Sequence, residues 1–161
     1  MAKFSKHYSL GKSQSELDFV DVPIDGDLPL FLDPFAISLR PEPFAQECHQ
    51  SLIGFFQAIV DAIRNADRDF ARRLLLNLRE PNETRLGLSR GQPRGAGVGD
   101  LQSGDLLNAL TESSAVKTGF LHSLEECELM VEGVGRDKIS DLTTNIIRRH
   151  LADYTFEQCR L

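Results

Sequence analysis

Leu52, Phe55, Phe56, Ile59, Val60 and Ile63 recur at three- and four-residue intervals, the spacing that gathers side chains onto one face of an α-helix. A stripe this apolar must be covered, so it predicts a central core helix that begins near Phe44, behind Pro41 and Pro43. Proline is tolerated in a helix's first turn, where its missing N–H would have no partner anyway. Any fold available to the chain has to be built around this face.

Other elements are punctuated by turn residues. Asn65 and Asp67 mark a break before a second stripe of Phe70, Leu74, Leu75 and Leu78, which Pro81 would stop. Residues 84 to 99 hold too much glycine and proline for a helix and read as a Gly-rich loop. Asp100 or Ser103 then caps a third helix with Leu101, Leu106, Leu107 and Leu110 inward, and Gly119 interrupts it before a further helical turn. Glu128 to Glu132 is short, apolar and flanked by Gly133 and Gly135, as a strand would be. A last helix from Asp137 or Ser140 turns Leu142, Ile146 and Leu151 inward and continues towards Leu161. Near the start, Glu16 to Leu32 forms two apolar stretches around a Pro/Asp/Gly turn, read as edge strands or extended arms. The expected class is α+β, mainly helical, with about four helices, a few short strands and the Gly-rich loop.

At 161 residues the chain has the length of one domain. Because its last helical pattern meets no glycine or proline stop, it also fits the N-terminal part of a longer protein. It holds no apolar run near the roughly 20 residues of a membrane-spanning helix, and residues 1 to 7 lack the apolar core of a secretion signal. Cys48, Cys127 and Cys159 are odd in number and irregularly spaced, as where thiols stay reduced. The expectation is a cytoplasmic protein without membrane contact or disulfides.

The net charge of −6 argues against a surface that binds nucleic acid everywhere, but the charge is segregated. Residues 64 to 94 carry 8 Arg against 4 acidic side chains, while residues 1 to 63 carry 4 basic against 9 acidic and residues 95 to 141 carry 3 against 9. Within the basic block, Arg68, Arg72 and Arg79 would share the helix side opposite Phe70, Leu74 and Leu78. Their forked guanidiniums suit phosphate or carboxylate, and internal salt bridges are the plainer use.

Arg90 and Arg94, with Gly95, Gly97 and Gly99 ahead of a helix, form the candidate phosphate-binding set, since glycine lets backbone N–H groups approach an anion. The spacing matches neither the Walker loop nor the dinucleotide fingerprint, and Asp100 would oppose an anion. Gly87-Leu-Ser89-Arg-Gly91 spells a nucleophile elbow without the helix such an elbow needs after its serine.

Glu132, Asp137 and Asp141 place three carboxylates around a tight loop and a helix start, so they are the candidate metal ligands, for Mg²⁺. Lys138 would stabilise developing phosphate charge as the catalytic residue of a metal-dependent nuclease, although the usual acid-x-lysine triplet is absent. Helix capping by Asp137 explains the same residues without chemistry. The cysteines and histidines lack zinc-ligand spacing, and the aspartates between Asp21 and Asp33 lack that of a calcium loop.

Thr84-Arg-Leu-Gly-Leu-Ser-Arg-Gly91 with Gly97-Val-Gly99, and Glu132 through Ile147, resemble uncharacterised bacterial proteins from mobile-element and phage-defence surroundings. The resemblance implies a bacterial source and carries no activity or catalytic residue. The functional expectation is a phosphate-binding or nucleic-acid-associated module, with nuclease-like chemistry if the carboxylates hold metal. The alternative is a noncatalytic protein-interaction or regulatory module.

Overall fold

A computed structural model describes residues 2–26, 28, 30–78 and 100–158, with the side chains of 100–103 and 158 outside the description. These residues form nine α-helices and one 3₁₀ turn, and among them no strand. The α+β expectation is therefore corrected to mainly helical, and four helices were too few.

The described residues divide into two compact units, one within residues 1–30 and the other within 31–158. In the first, α1 (Phe4–His7) is followed by a 3₁₀ turn at Gln14–Glu16, whose capping box joins Ser13 and Glu16. A lone antiparallel bridge joins Lys3 to Pro23. The segment read as edge strands or arms thus makes one bridge, and Pro23, without an N–H, cannot donate to a longer ladder. Asp21 is the fastener: its carboxylate accepts from the Ser5 N–H at 2.8 Å and the Ser5 hydroxyl at 2.7 Å. Phe4 packs edge-on against Phe19, ring centroids 5.5 Å apart.

The second unit contains α2 (Pro34–Ser38), α3 (Pro43–Arg64), α4 (Arg68–Leu76), α5 (Asp100–Glu112), α6 (Ser114–Thr118), α7 (Cys127–Met130), α8 (Arg136–Ile146) and α9 (Arg148–Gln158). α3 is the hub and touches α2, α4, α6, α8 and α9. Its stripe behaves as expected: Leu52, Phe56, Ile59 and Val60 are buried, and Phe55 and Ile63 pack against them half-buried. The core closes over Ala71, Leu75, Leu106, Leu110, Val116, Cys127, Leu142 and Ile147. A void of about 10 Å³ among Phe56, Leu75, Leu110 and Cys127 is at the limit for one water molecule, and its apolar lining gives a water little to bond to.

Local chemistry sets the helix limits. Asp33 caps α2 through the Phe35 N–H at 2.9 Å, and Asp67 caps α4 through the Phe70 N–H at 3.0 Å. Gly119 ends α6 with φ at 77°, a left-handed position that suits glycine. The segment expected as a strand, Glu128 to Glu132, is instead helix and turn. Glu128, Leu129 and Met130 are good helix formers, while Val131 and Val134 bury themselves in the turn that follows. The expected last helix breaks at Ile147, which is buried, so the chain continues as two helices. Among the described residues no helix is long and apolar enough to cross a membrane.

Candidate functional site

α4 and α5 pack against each other, and a surface groove of about 290 Å³ runs between them. Arg68, Asp69 and Arg72 line it from α4, and Gly104, Leu107 and Asn108 from α5. Arg68 donates to the Asn108 side-chain amide oxygen, Oδ1, at 2.8 Å, which fixes one guanidinium at the wall. Arg72 follows Arg68 by four residues, so a helical α4 presents both on one face. Among the described residues neither Arg72 nor Asp69 makes an ion pair, although they share the groove. A side chain added at Gly104 would meet no atom within 4 Å, so the α5 wall is open there. Two arginine forks facing an open groove can bind a phosphate or another oxyanion.

The sequence expected this arginine face but not its partner wall, because the approach of Asn108 to Arg68 is a tertiary contact across 40 residues. Phe70, expected in the core, stays 39% exposed with the Arg73 guanidinium over its ring at 5.7 Å, and Ala71 takes the buried place. Arg79 lies outside the described residues, as do Arg90, Arg94, Gly95, Gly97 and Gly99.

The carboxylate set is fully described. Glu132 lies exposed in the turn after α7, Asp137 in the first turn of α8, and Asp141 one turn further on, half-buried. Among the described residues no three His, Cys, Asp or Glu side chains gather into a group able to hold a metal ion. The structure therefore does not bring Glu132, Asp137 and Asp141 together as a ligand set. Lys138 donates to the Gly133 carbonyl at 3.1 Å and so ties the turn to α8. Asp137 makes no cap bond, because Gly135 is the capping residue, and its charge sits at the positive end of the helix.

A family model described as Domain of unknown function (DUF8370) matches residues 9–161. The chain belongs to DUF8370. No curated protein and no solved structure matches it.

This DUF8370 chain also assembles a polar cluster that the sequence reading missed. Ser51 Oγ lies 2.8 Å from His150 Nε2, and His150 Nδ1 lies 4.0 Å from the Glu47 carboxylate. The Ser–His distance is that of an activated nucleophile. The surroundings are not: Ser51 sits inside the 22-residue α3, whose interior N–H groups are committed to helix bonds and cannot serve an oxyanion. Its evident work is to fasten α9 to α3, beside the contact of the Phe44 and Tyr154 rings at 5.1 Å. Glu47 and Ser51 are one turn apart on α3, but no local pattern could point to a histidine 99 residues later.

Both described cysteines are free and buried. Burial, with help from Glu126 and Glu125, pushes the Cys127 thiol up to about 12, and burial also raises Cys48, so neither is a ready nucleophile.

Proposed function

We propose that this DUF8370 chain is a phosphate-binding, nucleic-acid-associated module that acts by binding through the α4–α5 groove. The observation that carries this reading is the pair Arg68 and Arg72 on one open groove, with Arg68 braced by Asn108 and Arg72 unpaired among the described residues. The two helices are joined in sequence by the segment that holds Arg79, Arg85, Arg90 and Arg94. The mobile-element and phage-defence surroundings implied by the sequence resemblance suit such a role. Metal-dependent nuclease chemistry is not part of this reading, because among the described residues no three His, Cys, Asp or Glu side chains gather into a group able to hold a metal ion.

Fluorescence anisotropy of a labelled short single-stranded oligonucleotide, measured across salt concentrations, tests the proposal. Two phosphate contacts give a log–log salt slope of about −1.4 for single strands. Arg72→Ala is expected to halve that slope. Failure to bind at low salt would overturn the reading.

A noncatalytic protein-interaction or regulatory module is the second reading, and α2 favours it. Phe35 in α2, Leu39 at its C-terminal cap and Phe31 in the chain just before the helix are 53%, 67% and 57% exposed. Large apolar side chains left this open at one edge are a common mark of a protein contact. A protein ligand that shifts Phe31 and Leu39 while leaving the groove untouched would support this reading against the first.

A further inference from the structure

The α4–α5 groove is a mixed-charge site, and this composition says more than affinity for phosphate. A site for bare phosphate gains nothing from a carboxylate, yet Asp69 lines the groove beside Arg68 and Arg72 and pairs with neither. Leu107, 4% exposed, closes the floor, Gly104 adds open space, and Asn108 retains its side-chain amide N–H groups, since Arg68 occupies its Oδ1. A ligand that uses both signs of charge has an anionic end and a pair of N–H donors.

Resting on the phosphate-binding reading, we propose that the groove takes a guanine nucleotide, with its phosphate on Arg72 and Arg68 and its base edge on the Asp69 carboxylate. Guanine carries a ring N–H next to an exocyclic amino group, and two carboxylate oxygens accept from such a pair in parallel. Adenine and cytosine set a ring-nitrogen acceptor beside the amino group and would meet the carboxylate lone pair to lone pair. Uracil offers one N–H between two carbonyls. The groove is open to solvent and Leu107 is buried beneath it, so the expected discrimination is modest, about tenfold, the worth of one charge-assisted hydrogen bond.

Titration of the ¹⁵N-labelled full chain with GMP, AMP and inorganic phosphate, followed by NMR, tests this. The expected result is shifts at Arg68, Arg72, Gly104 and Asn108 with all three, GMP binding about tenfold more tightly than AMP, and equal GMP and AMP affinity in D69N. Equal affinity in the native chain would overturn base recognition and leave the phosphate reading standing. A GMP preference that survives D69N would overturn the assignment to Asp69. No shift with any of the three would overturn both proposals.

Discussion

Ser51 Oγ lies 2.8 Å from His150 Nε2, so α9 is fastened to α3 by a hydrogen bond between residues 99 positions apart. α9 brings only half-buried side chains to this contact, Leu151 and Tyr154 among them. A single polar bond therefore matters more here than in the core. Ser51→Ala is expected to lower stability by about 1 kcal/mol. Hydrogen exchange should place the faster-exchanging amides in α9. Unchanged α9 protection would show that the bond contributes nothing to docking.

Ser140 Oγ accepts the Leu32 N–H at 2.9 Å and so carries the chain leading into α2 onto α8. Ser140 is buried, so Ser140→Ala leaves that donor without a replacement. The expected cost is about 1–3 kcal/mol in urea unfolding. Ser140→Thr, which keeps the hydroxyl, should recover part of it.

Asp21 is held below its ordinary value of 3.8 by the Ser5 N–H and hydroxyl, with a smaller contribution from Lys3. A carboxyl with a depressed folded value stabilises the fold fully above its unfolded value, and the contribution is lost as pH falls through the folded one. The N-terminal unit is therefore expected to loosen only below about pH 3.8. The Ser5 amide resonance should report it, and Asp21→Asn should remove the pH step. A transition of that amide near neutrality would contradict the assignment.

Cys48 and Cys127 are buried and their thiols are raised above the ordinary value of 9.0. Neither is expected to react with a thiol reagent at neutral pH in the folded protein, and both should react in denaturant. A thiol raised by folding favours the fold below its unfolded value, and that advantage is lost as pH rises from about 9 towards about 12. Mass spectrometry of labelled peptides distinguishes them from Cys159. Rapid native labelling of Cys127 would show that the core around it opens.

What could be read from the sequence was what periodicity carries. The α3 stripe and the inward leucines Leu106, Leu107 and Leu110 of α5 stand where the pattern put them, because burying an apolar helix face needs no knowledge of its partner. The short helices were harder to see. α7 spans only Cys127–Met130, less than the window in which a 3.6-residue period can be told from a strand's alternation. Its short apolar run through Val131, flanked by Gly133, reads as a strand, although the burial of Val131 in a turn comes from packing. The break at Ile147 carries no glycine or proline, so nothing local announced it.

The candidate site divided in the same way. Arg68 and Arg72 were legible as one helix face, since spacing alone puts them there. The wall of Gly104, Leu107 and Asn108 was not, because the packing of α5 on α4 is a tertiary result. Glu132, Asp137 and Asp141 are close in sequence, yet the turn at Gly133 and the rise of α8 leave them without a common centre able to hold a metal ion.

The most direct measurement is an NMR titration of the full chain with short single-stranded RNA in the presence of EDTA. Salt-sensitive shifts at Arg68, Arg72, Gly104 and Asn108, unaffected by removal of divalent metal and lost in Arg72→Ala, are the expected result. A spectrum unchanged at low salt, or binding that requires Mg²⁺ and shifts Glu132, Asp137 and Asp141 instead, would contradict the account.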